Sequence, residues 1–394
     1  MPHRQLLRLQ ILVAALAMIM TIPGRTQGLG LITEKILEDP TLQMDRTQFA
    51  WLNLMATLAG ALTAIPVGWL MDRLGTRLVL LGLLTLLGAS TYYFAGITTT
   101  AGFFLGLFLM RALGQSALSA ASLTHMGKWF PNRVSVAMAI FGIVSTIGFM
   151  VLFGGLDPLI QAVGWRDTWR YLGFTAVGLA ILFAFICYPA PPQETPATAA
   201  INTASRHYTW WEAMRSPTFW LFALSCSLFN WVSSGIGLFN EDVLAETGFS
   251  RDLYIAALAT ATFVTLFSNG LGGWLSTKWP LSRLMAIGML MLAGCLGSLP
   301  YLHAPWQVYA NAVMLGISAG LVIVVFFAIW GSTFGTLHLG KIQGTAQALT
   351  VLSSALGPVS LAMSKEYIGS YRPLFLVLAG LSLLSAVLCW LRQK

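Results

Sequence analysis

The stretch Gly68-Trp-Leu-Met-Asp72-Arg73-Leu-Gly75-Thr-Arg77 lies between two long apolar runs. It predicts a tight polar turn that joins two membrane-spanning helices. Gly68 permits close helix approach, and Gly75 permits a turn conformation that other residues rarely adopt. Asp72 is expected to accept hydrogen bonds from backbone N–H groups at the start of the next helix, where negative charge is favoured. Arg73 and Arg77 place positive charge where cytoplasmic loops collect it.

The composition of the whole chain agrees with a membrane protein. The 394 residues are 57% hydrophobic and 9% charged, whereas soluble domains carry about 25% charged residues. We therefore expect lipid to be the solvent of the fold. The net charge of +8 comes from basic residues spread over short loops, without a basic run. This distribution predicts membrane orientation and no binding to nucleic acid.

Neither a metal nor a cofactor is expected. The four cysteines stand alone in or beside apolar runs, so their spacing indicates no metal ligands and no disulfides. They are Cys187, Cys226, Cys295 and Cys389. Arg4 and Arg8 precede an apolar run as in a signal peptide, but no small-x-small cleavage pattern follows, which predicts a retained first helix. The sequence has no G-x-x-x-x-G-K-[ST] loop, so ATP-driven transport is not predicted.

Apolar stretches of roughly 20 residues, the length that a membrane span needs, recur along the chain. Twelve are predicted near residues 9–33, 48–70, 78–96, 102–123, 135–157, 168–188, 217–240, 253–274, 284–301, 306–331, 344–363 and 373–391. The Pro-, Ala- and Thr-rich stretch 189–215 predicts a flexible cytoplasmic linker. It divides an all-α integral membrane fold into six-helix bundles at 1–188 and 216–394. Lys and Arg are more numerous in the loops on the side of the N-terminus, so both termini are expected in the cytoplasm and the chain in the inner membrane.

Several motifs resemble one family of transporters. The pattern G-x-x-x-D-R-x-G-x-R is similar to the signature loop of the major facilitator superfamily, and Arg111-Ala-Leu-Gly114-Gln115 in the fourth span is similar to its second signature. Gly164-Trp165-Arg166 and Ala355-Leu-Gly357-Pro358, with other stretches, resemble bacterial members of the monocarboxylate and oxalate/formate porter group. The resemblance implies two six-helix bundles that rock about a site at their interface, with the loop 68–77 latching the cytoplasmic side.

Two positions depart from that porter group. Its members often carry a charged residue in the eighth span and a lysine inside the eleventh. Here the eighth span offers only Asn269, and Lys341 is expected to precede the eleventh span. The family's residues for binding and proton coupling therefore cannot be transferred directly to this chain.

Two arginines are predicted to lie inside the membrane, where an ionisable group costs roughly 2.5–3.5 kcal/mol. Arg111 falls near the middle of the fourth span, and Arg25 lies in Pro23-Gly24-Arg25-Thr26-Gln27-Gly28, where proline and glycine can interrupt the first helix. No Asp, Glu or His is predicted near the middle of a span, and His125 is placed in a loop. The uncompensated charge predicts an anionic substrate held by arginine. The alternatives are that Arg111 bonds to backbone or polar side chains for packing, and that Arg25 snorkels to the outer interface.

Amide side chains complete the predicted site, although hydrogen bonding between helices explains most such amides. The predicted substrate-binding residues are Arg25, Arg111, Asn230, Gln27, Asn53 and Gln115. The predicted cytoplasmic gate consists of Gly68, Asp72, Arg73, Gly75 and Arg77. Glu34 and Asp157, at the outer ends of spans, are the candidates for proton coupling.

These observations predict a secondary active transporter, functional as a monomer, that moves a small monocarboxylate-like anion by proton symport or exchange. The first alternative is efflux of hydrophobic or drug-like compounds, a site that usually contains a buried acidic residue. The second is a non-transporting membrane sensor, which would usually need an added soluble domain. No nucleophile–base pair appears, so no enzyme is predicted.

Overall fold

The computed structural model describes residues 3–131, 134–189, 207–246 and 248–392, which are almost entirely helical. Within these ranges, twelve helices are long and apolar enough to cross a membrane, as the sequence predicts. Lipid offers no partner to a backbone N–H or C=O group, so a spanning segment has to satisfy these groups internally, as a helix does. The fold class, all-α and integral to the membrane, is confirmed.

We number the membrane helices α1 to α12. They are α1 (His3–Ile19), α2 (Arg46–Ala61 and Ala64–Leu74), α3 (Thr76–Ala95), α4 (Thr100–Met110, Arg111–Leu118 and Ser119–Trp129), α5 (Val134–Val163), α6 (Trp165–Ile186), α7 (Pro217–Glu246), α8 (Arg251–Leu275), α9 (Leu281–Ser298), α10 (Pro305–Phe334), α11 (Leu339–Ile368) and α12 (Arg372–Leu391). Short helices at Thr26–Gly30 and Thr33–Leu37 connect α1 to α2, and another at Trp210–Arg215 precedes α7.

Several boundaries differ from those expected by a few residues, and three of the differences concern residues or segments discussed above. The first span ends earlier than residue 33, because a 3-10 turn at Ile22–Gly24 follows α1. The fourth span continues to Trp129, so His125 lies in α4 and the loop assignment was wrong. The eleventh span begins at Leu339, which places Lys341 in its first turn and corrects the expectation that this lysine precedes the helix.

Contacts divide the chain into two compact units. The first consists of Met1–Asn132, Val144–Trp210 and Trp330–Val351, and the second of Arg133–Ile143, Trp211–Ile329 and Leu352–Lys394. Each unit thus contains a short segment from the opposite half of the sequence. The division into 1–188 and 216–394 stays a prediction. The predicted linker 189–215 is helical from Trp210 onward, and its residues 190–206 lie outside the described ranges.

Aromatic rings pack together in the first unit where α3 ends and where α4 and α6 begin. The ring of Phe94 lies 5.6 Å from that of Phe103 and 5.9 Å from that of Trp165, measured between centroids. Other large apolar side chains of the same helices, such as Leu86 and Phe174, are exposed. A soluble protein rarely exposes extended apolar faces, but these faces suit helices surrounded by lipid.

Candidate functional site

Three helices of the first unit depart from α-helical geometry close to Arg111. Helix α4 is π-helical over Arg111–Leu118, a local widening that occurs often at functional sites. Helix α1 gives way to the 3-10 turn Ile22–Gly24, which confirms the interruption expected from Pro23 and Gly24. Helix α2 is interrupted between Ala61 and Ala64. Irregular backbone is tolerated at membrane depth only where protein or a polar cavity satisfies the freed groups.

A hydrogen bond and a close backbone contact join the interrupted segments. The Thr63 hydroxyl, in the break of α2, lies 3.0 Å from the carbonyl oxygen of Ala112 in the π-helical segment. Gly24 lies so close to α4 that an added Cβ would overlap the carbonyl oxygen of Met110 and lie 3.2 Å from the backbone nitrogen of Gln115. A residue with a side chain therefore cannot replace Gly24 without moving α1 from α4.

Arg111 is 1% exposed and is surrounded by neutral acceptors. Its Nη1 donates to the Gly24 carbonyl oxygen at 3.1 Å, to Thr26 Oγ1 at 3.1 Å and to Gln115 Oε1 at 2.7 Å, and its Nη2 donates to Asn53 Oδ1. Its Nε is buried without an acceptor among the described residues. None of these partners is a carboxylate, so the positive charge is solvated but not neutralised. These contacts agree with the alternative in which Arg111 bonds to backbone and polar side chains for packing. They also join α1, α2 and α4.

Arg25 lies in the same unit and is only partly buried. Its Nε donates to Thr21 Oγ1 at 2.6 Å, and its Nη2 lies 3.2 Å from both Met18 Sδ and Ser119 Oγ. The guanidinium carbon is 4.9 Å from the ring centroid of Phe149, a cation–π arrangement. Nη1 makes no hydrogen bond to the described residues. Arg25 thus reaches along α1 toward α4, not outward as in the snorkelling alternative, and keeps one donor nitrogen available.

The other predicted site residues are distributed unevenly. Asn53 and Gln115 join Arg111, whereas Gln27 is exposed. Asn230 belongs to the second unit, where its side chain donates to the Cys226 carbonyl oxygen at 2.9 Å. Glu34 and Asp157 are both exposed, and the Asp157 carboxylate accepts from Gln161 Nε2 at 2.8 Å.

His125 is a buried polar residue that the sequence reasoning assigned incorrectly. It is 0% exposed, with Nδ1 2.9 Å from Thr76 Oγ1 and Nε2 3.2 Å from Gln10 Oε1. Since Gln10 donates its amide nitrogen to the Ile186 carbonyl oxygen, its Oε1 is an acceptor, and the proton of a neutral His125 lies on Nε2. Tryptophan is enriched where spans end, so Trp129, one turn further on, indicates from the sequence that α4 extends past His125.

Asp72, a predicted gate residue, binds a different helix from the one expected. Its Oδ1 accepts from the backbone N–H of Gly340 and its Oδ2 from that of Lys341, both at 3.0 Å, and Lys128 Nζ lies 2.8 Å from Oδ1. The expectation that Asp72 caps the next helix was wrong, because it caps α11 instead. The N-terminus of a helix carries partial positive charge, so the carboxylate stabilises it.

The other predicted gate residues lie near Asp72 in α2, in the turn after it and at the start of α3. A Cβ added at Gly68 would overlap the Gly340 carbonyl oxygen, and one at Gly340 would overlap the Gly68 carbonyl oxygen. Gly75 adopts a φ of +81°, in the region that favours glycine, between α2 and α3. Arg73 lies over the ring of Trp69 at 4.1 Å, and Arg77 Nη2 donates to the Ala184 carbonyl oxygen at 2.6 Å.

At the opposite end of the first unit, Arg166 ties the segment between α1 and α2 to α3. Its Nη1 donates to the carbonyl oxygens of Ala95 at 2.9 Å and Ile97 at 2.8 Å, and its Nη2 lies 2.8 Å from Asp39 Oδ2. Burial by itself raises the pKa of the Asp39 carboxyl, but hydrogen bonds from Thr41 and Arg166 outweigh it and lower that pKa below its ordinary value.

Comparisons with known proteins place the chain in a family. The sequence profile of the Major Facilitator Superfamily matches residues 9–244 and 226–394. Human monocarboxylate transporter 11 is 28% identical over 388 residues, which cover 91% of this chain and 77% of that protein. A probable sulfoacetate transporter, SauU of Cupriavidus necator, is 26% identical over 80% of this chain and 77% of its own length.

The fold is shared with a solved structure, that of the human organic anion transporter MFSD10. The TM-score is 0.75 at 16% identity, over 99% of this chain and 100% of that one. The resemblance to monocarboxylate porters expected from the motifs is confirmed by the sequence relatives. These findings indicate a transporter and not an enzyme. The chain belongs to the major facilitator superfamily.

Proposed function

We propose that the chain carries a small organic anion, of the monocarboxylate or related sulfonate type, across the inner membrane by alternating access. The observation that carries the proposal is the pair Arg25 and Arg111 in the first unit, whose described hydrogen-bond acceptors are all neutral. A buried cation without a protein counter-ion favours an anionic ligand, since each charge then stabilises the other in a medium of low polarity.

The two arginines have different roles in this proposal. Arg25 contacts the anion directly, because its Nη1 has no acceptor among the described residues and its side chain is partly accessible. Arg111 supplies charge and holds the broken end of α1 through the Gly24 carbonyl oxygen. A direct contact between Arg111 and the cargo would require one of its present acceptors to move. Gln27, Asn53 and Gln115 are the neighbouring polar groups, and Asn230 is the candidate from the second unit.

The names of the relatives support the chemical class. They include transporters for a monocarboxylate, for sulfoacetate and for organic anions. These ligands share a delocalised negative charge that a guanidinium can bind through two N–H groups. The gradient of a co-transported proton, or of a second anion that is exchanged for the first, would supply the energy for transport. Glu34 and Asp157, near the outer ends of helices, are the candidate groups for proton entry.

The Asp72 contacts form the cytoplasmic latch of this transport cycle. The carboxylate caps α11 while the latch is closed, and its release opens the path to the cytoplasm, with both termini on that side. The bundles 1–188 and 216–394 are the moving bodies in this proposal, and one copy of the chain suffices for transport.

Uptake into proteoliposomes tests the proposal. The purified chain is reconstituted and assayed with radiolabelled short carboxylates and sulfonates, with a sugar and a lipophilic cation as comparison cargoes. We expect Arg25→Gln to lower anion uptake by about 10- to 100-fold, the loss of a hydrogen bond to a charged group. Arg170→Gln is the matched control, since Arg170 is partly exposed and pairs with Asp167 in its own helix. Anion uptake that is unchanged by Arg25→Gln, or uptake of the cation alone, would refute the proposal.

A further inference from the structure

A deep apolar groove runs along the second unit between α7 and α12. Its volume is about 730 Å³, and it extends from Pro217 to Trp231 on α7 and from Leu381 to Arg392 on α12, with Ser353 of α11 behind. Leu224, Leu384 and Leu388 in its walls are each roughly half exposed. The groove belongs to the outer surface of these helices and includes none of the arginines of the proposed anion site.

The groove is at least as long as one leaflet is thick. At 1.5 Å per residue, its α12 wall from Leu381 to Arg392 rises by about 16 Å and its α7 wall from Pro217 to Trp231 by about 21 Å, whereas half of the hydrocarbon core is about 15 Å. Measured from the membrane surface near Pro217 and Arg392, the groove reaches the midplane along α12 and passes it along α7. It therefore has room for one acyl chain of a phospholipid, which spans one leaflet.

The inner wall of the groove suits a hydrocarbon chain. The Ser225 hydroxyl lies 2.6 Å from the Leu221 carbonyl oxygen and 2.6 Å from Ser385 Oγ. These two serines thus satisfy each other and the backbone where α7 and α12 meet. Ser227 also lines the groove, and its buried Oγ has no hydrogen-bond partner among the described residues. The leucine side chains of the walls gain from contact with CH₂ groups.

A positive charge at one end of the groove favours anionic over zwitterionic phospholipids. Of the described residues that line the groove, Arg392 alone is charged. It follows the last turn of α12, at the surface level of the membrane. Trp220, partly exposed on α7, lines the same end and donates its indole N–H to the Met214 carbonyl oxygen, which is the position of an interfacial tryptophan.

We propose that this groove is a binding site for one anionic phospholipid. The phosphate pairs with Arg392, and one acyl chain lies between α7 and α12. This end of the groove is on the predicted cytoplasmic side, the side on which basic pockets between helices attract acidic head groups. A zwitterionic lipid would fill the same walls but lacks net charge to offset Arg392. The inference does not depend on the identity of the transported cargo.

Native mass spectrometry of the purified chain tests the site. The protein is titrated separately with phosphatidylglycerol and phosphatidylcholine that carry the same acyl chains. One basic residue near the surface contributes about 1 kcal/mol, or about five-fold in affinity. We therefore expect the first bound phosphatidylglycerol to bind about five-fold more tightly than phosphatidylcholine. Arg392→Gln should remove that preference, whereas Arg283→Gln should retain it, since Arg283 stacks on Trp390 of α12 but does not line the groove.

A second pair of variants tests the acyl-chain part independently of charge. Leu384→Trp fills the groove, and Leu383→Trp places the same bulk on a neighbouring exposed position that does not line it. Both positions are roughly half exposed, so neither substitution disrupts a core. We expect Leu384→Trp to weaken binding of the first phosphatidylglycerol at least five-fold and Leu383→Trp to leave it unchanged. Equal affinities for both lipids in the wild type, or displacement of the lipid by an apolar compound that is then transported, would overturn the inference.

Discussion

Asp72 Oδ1 lies 3.0 Å from the backbone nitrogen of Gly340, a residue 268 positions later in the chain. The same carboxylate accepts from the next N–H of α11 and pairs with Lys128. The first turn of α11 is thus capped by a residue in the last turn of α2. The end of an early helix consequently holds the start of a late one.

Removing the charge of Asp72 should release α11. Asp72→Asn keeps one acceptor oxygen but loses the ion pair with Lys128 and the interaction with the helix N-terminus. Hydrogen bonds to charged groups contribute about 1.5–3 kcal/mol, so we expect the open form to become at least tenfold more populated. A cysteine introduced by Lys341→Cys reports the population of the open form. The substitution retains the backbone N–H that Asp72 binds, and the four native cysteines are buried.

Labelling of that cysteine with a membrane-impermeant maleimide should be about tenfold faster in the Asp72→Asn background. Asp167→Asn is the control, since Asp167 is partly exposed and pairs with Arg170 one turn away. Equal labelling rates in all three proteins would show that the carboxylate does not hold α11.

The glycine pair beneath Asp72 should be equally sensitive. Gly68→Ala places a methyl group against the Gly340 carbonyl oxygen, a backbone atom that cannot move aside alone. We expect α2 and α11 to separate, with faster labelling of the same cysteine and a lower Tm. Gly82→Ala in α3 is the matched control because an added Cβ there meets nothing within 4 Å, and alanine favours helix by about 1 kcal/mol. A Gly68→Ala protein that behaves like Gly82→Ala would contradict the role of this contact.

A protein carboxylate placed beside Arg111 should neutralise its charge. Asn53→Asp replaces the neutral acceptor of Arg111 Nη2 with a carboxylate. We expect the Tm to be maintained while anion uptake falls at least tenfold, because a protein carboxylate then takes the place of the cargo as counter-ion. Asn53→Ala removes an acceptor from a buried donor and should cost about 1–3 kcal/mol of stability. If both variants lose uptake and Tm together, packing and not charge accounts for the effect.

The ion pair between Asp39 and Arg166 should make the outer segment sensitive to acid. The folded pKa of Asp39 is lowered, so its contribution to stability is complete above its ordinary pKa of about 3.9 and is lost as the pH falls through the lower folded value. We expect the Tm of the wild type to fall between pH 6 and pH 3 by more than that of Asp39→Asn. Asp167→Asn should follow the wild type. Parallel Tm profiles for wild type and Asp39→Asn would exclude this contribution.

The sequence predicted the spans well because lipid imposes one simple rule on them, a long apolar run without charge. It failed where polar residues inside a span are satisfied by distant partners. In the sequence, His125 resembles a loop residue because its hydrogen-bond partners Thr76 and Gln10 are distant along the chain. The start of α11 looks like a loop for the same reason, since its cap comes from Asp72.

The candidate site was predictable in its charges and not in its contacts. Arg25 and Arg111 stand out because charge is rare in the spans, and Pro23 with Gly24 indicates the break in α1. Arg111 binds the end of this break and has Asn53 and Gln115 beside it. These contacts depend on the packing of three interrupted helices, which no local sequence pattern predicts.

The neutral surroundings of Arg111 have a consequence for the energetics of transport. Amide, hydroxyl and peptide oxygens neither gain nor lose a proton across the physiological range, and a guanidinium remains protonated throughout it. The electrostatic attraction that Arg111 would exert on the proposed anion is therefore constant when the acidity on either side of the membrane changes. Any dependence of the carrier on a proton gradient has to originate in the cargo's own ionisation or in groups remote from this arginine.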